Sequence, residues 1–354
     1  MLKIIKFSFF YLLLFISCII IFEFSAHFFL KDGTEEIDMS ELWSTYSTKE
    51  LDKSITTLNK DTGLDCVEYI TPTWNHKFGY ISKKIDYECA NEHFKNNELN
   101  IVFFGSSVMD NQMYHNHLTS LDAYIIKELK NAKSINFAES GSRLSNEYAR
   151  FSIMLKYIKP KIAIFFDGTN EFESIKYVDG NHDEDFYWTV WARSRIENPY
   201  KLYLNKLVNS SYTARAFVNL FNYQNDNKVK KSINKKDIIN AAKDYIHHQN
   251  LIKTLCNEYN IKCLFFLQPN IYTSKGMDNQ KIYKQIKKIN ETIYPFNNDL
   301  YKLGYSFLKN DKNVDLSYAL DNQNLTYIDY AHLTKVGSMI LAKEIAKHIK
   351  EIGE

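Results

Sequence analysis

The 354-residue chain carries 44 Lys and Arg against 42 Asp and Glu, a formal charge of +2, with 45% apolar and 24% charged residues. That apolar share is ample for a globular core. The near-balance of charge argues against a nucleic-acid groove as the main business of the chain and leaves its scattered Lys-Lys pairs as solvated faces.

At the amino end, Lys3 and Lys6 precede a charge-free run from Phe7 to Phe22, closed by Glu23. A helix from Ile4 to Phe22 would rise roughly 28 Å, about the hydrocarbon thickness of a bilayer. The lysines before it and Asp32, Glu35, Glu36 and Asp38 after it orient its amino end toward the cytoplasm. A cleaved signal peptide is the rival reading, but Ser25-Ala26 makes a poor cleavage site. Phe15-Ile16-Ser17-Cys18 faintly matches a lipoprotein box, yet Ile19 to Phe22 stays apolar where such a mature chain turns polar. The sequence therefore predicts a single-pass membrane protein: an anchor over residues 1–31, with the rest in the periplasm or the extracellular space. There Cys66, Cys89, Cys256 and Cys263 can oxidise, and sequence proximity favours pairing 66 with 89 and 256 with 263. Unpaired, buried thiols are the alternative. No Cys-x-x-Cys pair suggests zinc.

Residues 32–98 mix charges with two aromatic islands, Tyr69 to Trp74 and Phe78 to Tyr80, and read as a juxtamembrane stalk that then packs on the main domain. From residue 99 to 354 short apolar runs alternate with helical patterns, the signature of a parallel sheet with crossover helices. Strands are predicted at Ile101–Phe104, Ser134–Phe137, Lys161–Phe166, Ile261–Leu267 and Val314–Leu316. Helices are predicted at Leu118–Leu129, Leu144–Ile158, Lys236–Tyr259, Gln280–Leu303 and Thr334–Ile352. The rhythm breaks at about 172–235, an insertion holding Trp188 and Trp191 and reading as helical over Leu202–Phe221. Its aromatics could line a substrate groove or pack the insertion itself.

Four stretches carry chemistry. Gly105-Ser106-Ser107 closes the first strand; Gly141 lies in Asn136-Phe137-Ala138-Glu139-Ser140-Gly141-Ser142 after the second; Gly168-Thr169-Asn170-Glu171 follows the third; Asp329-Tyr330-Ala331-His332 precedes the last helix. Loops at strand ends in an open α/β sheet meet at one rim, where ligands bind. Each stretch alone reads as a turn or a helix cap. Together they supply acyl transfer: Ser107 as nucleophile, His332 as its base and Asp329 to fix the imidazole. Backbone N–H groups of Ser107 and Gly141, with the Asn170 side-chain amide, would stabilise the oxyanion.

The order and content of these blocks resemble the SGNH hydrolases, also called GDSL esterases and lipases. Gly105-Ser106-Ser107 stands for the Gly-Asp-Ser block, Gly141 for the second block's glycine, Gly168-Thr169-Asn170-Glu171 for Gly-x-Asn-Asp, and Asp329 to His332 for Asp-x-x-His. The resemblance covers roughly residues 99–171 and 236–352. It departs at Ser106 and Glu171, each standing where the family has aspartate. It implies a three-layer α/β/α, flavodoxin-like domain with a five-stranded parallel sheet and no cofactor. The implied activity is hydrolysis of acyl esters, including O-acetyl groups on glycans, lipids and small esters. The external placement favours an acylated envelope polysaccharide. The rivals are an O-acyltransferase using the same triad on a glycan and a non-catalytic glycan-binding scaffold that kept the fold. His115 and His117 lack a further ligand at suitable spacing, so no metal is expected.

Overall fold

The computed structural model describes residues 61–75, 79–95, 99–110, 120–129, 131–177, 233–277, 281–293, 296–310 and 312–353. The expected anchor, His115 and His117, and nearly all of the insertion lie outside the described residues. Among the described residues no helix is long and apolar enough to cross a membrane.

Two strands, β1 (Val67–Asn75) and β2 (Gly79–Ile85), form an antiparallel hairpin, followed by helix α1 (Tyr87–Phe94). The first aromatic island of the sequence, Tyr69 to Trp74, lies on β1, and Tyr80 of the second lies on β2. The main sheet is built from β3 (Leu99–Gly105), β4 (Ala132–Asn136), β5 (Ile162–Asp167), β6 (Lys262–Leu267) and β7 (Asn313–Asp315). All its pairings are parallel, in the order β4-β3-β5-β6-β7. Numbered within the sheet this is 2-1-3-4-5, the flavodoxin-like winding, whose order reverses beside its first strand. The expected five-stranded parallel sheet is present.

Between the strands run α2 (Ser107–Asp110), α3 (Leu121–Glu128), α4 (Leu144–Met154), α5 (Asn170–Tyr177), α6 (Lys235–Glu258), α7 (Lys281–Ile293) and α8 (Asn297–Leu308), and α9 (Lys335–Gly353) closes the chain. Helix α9 packs on α3, while α6 packs on α4, α5 and α8. Right-handed crossovers on either side of the reversal place these two groups on opposite faces of the sheet. One predicted helix, Gln280–Leu303, is instead two, α7 and α8. Pro295 lies between them, where a residue without an N–H cannot continue the helical ladder.

Strands covered on both faces read as continuous apolar runs. In β5 every residue is buried, and in β3 Ile101 to Phe104 are wholly so. Register then aligns Phe104 with Phe165 and Phe165 with Phe265. Their rings stack at 5.1 and 5.0 Å, Phe137 extends the row at 5.3 Å from Phe104, and Phe151 of α4 meets Phe104 and Phe165 edge-on. Each buried ring contributes about 2–3 kcal/mol by removing apolar area from water. The row also fixes height: Gly105 lies level with Phe166, and β5 ends one residue later at Asp167, so the two loops leave the sheet within one residue of each other.

Disulfides Cys66–Cys89 and Cys256–Cys263 join residues whose Cα atoms lie 5.3 and 6.1 Å apart. The first staples the base of the hairpin to α1; the second ties the end of α6 to the start of β6.

Candidate active site

The first loop begins where β3 runs out. Gly105 has φ +157°, and a Cβ there would lie 2.8 Å from Met109 Cβ and 3.0 Å from the Phe166 carbonyl. Only glycine allows the chain to turn this close to its neighbours. The carbonyl of the buried Ser106 then accepts from the N–H groups of Met109 and Asp110, at 3.0 and 2.9 Å, and winds α2. Ser107 is thereby the first residue of a helical turn at the sheet's rim, half-buried.

The last loop is folded by one carboxylate. Asp329 Oδ1 accepts from the N–H groups of Ala331 (2.9 Å) and His332 (2.8 Å), an Asx turn that brings the imidazole back over its own aspartate. Asp329 Oδ2 then meets His332 Nδ1 at 2.7 Å, and His332 Nε2 lies 2.7 Å from Ser107 Oγ. A carboxylate can only accept, so the imidazole proton sits on Nδ1 and Nε2 is left to accept from the serine hydroxyl. Burial works against the Asp329 charge. The imidazole and the two backbone donors outweigh it and hold the carboxyl below its ordinary range.

Gly141, at φ +75°, sits in the left-handed region at the tip of the second loop. That loop is fastened to the end of β3 by Phe137 N–H on the Phe103 carbonyl (2.8 Å) and Glu139 N–H on the Gly105 carbonyl (3.1 Å). No backbone acceptor among the described residues takes up the N–H of Ser107 or of Gly141. Asn170 opens α5 and donates through Nδ2 to the Ser142 carbonyl at 3.2 Å, which orients the amide and leaves its second N–H. Ser142 is a junction, because its Oγ also accepts from Arg150 Nη2 at 2.6 Å.

The structure thus joins Ser107, His332 and Asp329 through consecutive hydrogen bonds. It links the Gly141 loop to the Asn170 helix through Ser142. Several supporting contacts escaped the sequence reading. Glu171 Oε1 accepts the Leu144 N–H at 2.9 Å and so caps α4. Burial pushes Glu171 up to about 8 and, beside Glu147 and Arg150, Asp167 up to about 7. Glu173, buried on α5, accepts from Tyr330 (2.9 Å) and from Tyr301, which ties the Asp329–His332 loop to the helix that carries Asn170. The Tyr330 carbonyl accepts from Ile271 N–H at 2.9 Å, anchoring the same loop beyond β6. A carboxylate three residues after Asn170 and a tyrosine between Asp329 and His332 were the available signals. Neither has a spacing that announces the contact. Among the described residues no trio of His, Cys, Asp and Glu is arranged to hold a metal.

No family model matches the chain, and no curated protein matches it. Among solved structures, the acetylxylan esterase Axe2 from Geobacillus stearothermophilus shares 13% identity, covering 72% of this chain and 94% of its own, with a TM-score of 0.39. The acetyl xylan esterase AlAXEase shares 13% over 71% of this chain and all of its own, at 0.36. LAE5, an alpha/beta hydrolase enzyme from the metagenome of Lake Arreo in Spain, shares 11% over 71% and 96%, at 0.34.

Proposed function

We propose that this protein is a serine esterase of the SGNH kind that removes acyl groups through an acyl-Ser107 intermediate. The observation that carries the reading is the unbroken line from Ser107 Oγ through His332 to Asp329, with both links at 2.7 Å. A serine hydroxyl is a poor nucleophile until a base takes its proton. Here His332 Nε2 takes that proton as Oγ attacks the acyl carbon, and Asp329 stabilises the resulting imidazolium. The N–H groups of Ser107 and Gly141 and the Asn170 amide hold the oxyanion that forms. His332 returns its proton to the departing alcohol as the tetrahedral species collapses. Water, activated by the same imidazole, then attacks the acyl-serine and releases the carboxylic acid.

The substrate is an acylated, chiefly O-acetylated, polysaccharide of the cell envelope. Support comes from the placement that the anchor sequence predicts, with the catalytic domain outside the cytoplasm, and from two disulfides, which persist in oxidising compartments. The test is release of acetate from O-acetylated glycan and of p-nitrophenol from p-nitrophenyl acetate by the full chain, with Ser107→Ala as control. Turnover by the native protein alone is expected. Equal rates for the two proteins overturn the reading and favour a glycan-binding scaffold. A product analysis that finds acetyl on an added sugar acceptor, in preference to free acetate, replaces hydrolysis with transfer.

A further inference from the structure

We propose that Lys83, delivered by the hairpin that precedes the sheet, is a positioning residue that sets the nucleophile turn against the oxyanion loop. The inference rests on the reading of Ser107 as nucleophile. Lys83 lies on β2, yet its side chain is only 3% exposed and that of its partner Asp110 only 1%. Its Nζ reaches Asp110 Oδ1 at 2.5 Å and donates to the Ala138 carbonyl at 2.6 Å. Asp110 is the last residue of the one-turn helix that Ser107 begins. Ala138 lies three residues before Gly141. One ammonium therefore touches both halves of the site, the turn that carries the nucleophile and the loop that carries an oxyanion donor.

The surrounding bonds repeat the link. Asp110 Oδ2 accepts from Ser140 Oγ at 3.1 Å, and Asn136 Nδ2 donates to the Met109 carbonyl at 3.1 Å. Glu139 in turn grips the hairpin, accepting from Ser82 N–H (3.1 Å), Ser82 Oγ (2.6 Å) and Lys83 N–H (3.1 Å). Lys83, Phe137 and Glu139 also border a pocket of about 160 Å³, shared with Ile85, Tyr87 and Arg150. Burying an ammonium and a carboxylate costs much of what their attraction returns, and an apolar pair often serves stability equally well. What the ion pair adds is direction: the two segments are held at one separation and one angle, which an apolar contact does not specify.

The experiment separates stability from positioning. Lys83→Met alone leaves Asp110 buried without its cation and destabilises the fold. The double variant Lys83→Met, Asp110→Leu replaces the pair with apolar groups and is expected to recover most of the stability that Lys83→Met loses, short of native because the Ala138 carbonyl and the Ser140 hydroxyl lose their partners. With p-nitrophenyl acetate, kcat of the double variant should fall tenfold or more while KM changes less than about twofold. A double variant whose kcat returns to the native value as its melting temperature recovers overturns the proposal. Asp110→Asn, which keeps the shape and the acceptor for Ser140, should lower kcat at least threefold; native kcat there contradicts it whether or not the double variant folds. Amide exchange supplies a readout free of turnover. If the native chain releases no p-nitrophenol, the nucleophile reading fails by itself. Faster exchange across residues 107–110 and 138–142 in Asp110→Asn would then still support positioning, and unchanged exchange in both segments would refute it.

Discussion

Two layers of the molecule lie within a few residues of each other along the chain and obey different physics. The sheet's interior is a row of phenylalanines, Phe137, Phe104, Phe165 and Phe265, stacked 5.0–5.3 Å apart and free of charge. Directly above it, at the carboxyl ends of the same strands, the rim is supported by buried polar and ionisable groups: Lys83 with Asp110, Glu139 under the hairpin, Glu147 and Asp167 beside Arg150, and Glu171 capping α4. Apolar contact is strong but indifferent to angle, so it can set where the strands end. Hydrogen bonds and ion pairs are directional, so they can set which way Ser107, Gly141 and Asn170 face. The difference teaches a division of labour, in which the lower layer carries stability and the upper layer carries geometry.

Substitutions that touch only reacting groups break this comparison most sharply. Ser107→Ala or His332→Ala should lower kcat about a thousandfold or more, with the denaturation midpoint unmoved. Loss of less than tenfold would remove either residue from the mechanism. The converse change strikes the lower layer. Phe165→Ala empties a site buried on all sides and should cost about 3–5 kcal/mol in urea unfolding, while the protein that remains folded keeps kcat within about threefold. A large fall in kcat of the folded fraction would show that the aromatic row does more than set strand height. Asn170→Ala removes a donor of the proposed oxyanion site and should lower kcat about a hundredfold or more. Unchanged turnover would leave the Ser107 and Gly141 N–H groups as the oxyanion site.

Much of this arrangement was legible in the sequence because buried parallel strands leave unbroken apolar runs, and because Ser107 and Asn170 follow glycines at the ends of two of them, while Asp329 and His332 stand at a recognisable spacing before the last helix. Both disulfides join neighbours in sequence, so proximity was enough to favour their pairing. The supporting charges were not legible, for a physical reason. Lys83 and Lys84 read as a solvated pair, but side chains alternate across a strand. Lys84 accordingly stands 73% exposed beside Glu68 while Lys83 turns inward to Asp110. The single helix expected over Gln280–Leu303 failed similarly, since apolar spacing alone did not separate Lys281–Ile293 from Asn297–Leu308. Periodicity records which residues want burial, and it carries no information about which partner they will find.

The smallest expected effect lies in the upper layer's titration. Glu171 and Asp167, ordinarily near 4.5 and 3.8, protonate in the fold at about 8 and about 7, chiefly because burial disfavours their charge. Between about pH 4 and pH 8 the folded chain therefore holds more protons than the unfolded one, and stability falls as pH rises. The contribution is complete below the unfolded values and lost through the folded ones. Glu171→Gln, which can still accept from Leu144, should flatten the decline in melting temperature between pH 5 and 8.5. Equal slopes for native and variant would show that this carboxyl is ionised throughout.

The central claim concerns one oxygen atom, and trapping it is the most direct measurement. The full chain is treated with a fluorophosphonate, which phosphonylates activated serines with loss of fluoride, then digested and mapped by mass spectrometry. A single adduct on Ser107, absent from Ser107→Ala and much slower to form in His332→Ala, is the result the geometry predicts. An adduct on another residue, or ester hydrolysis that continues at the native rate while Ser107 stays unlabelled, would contradict it.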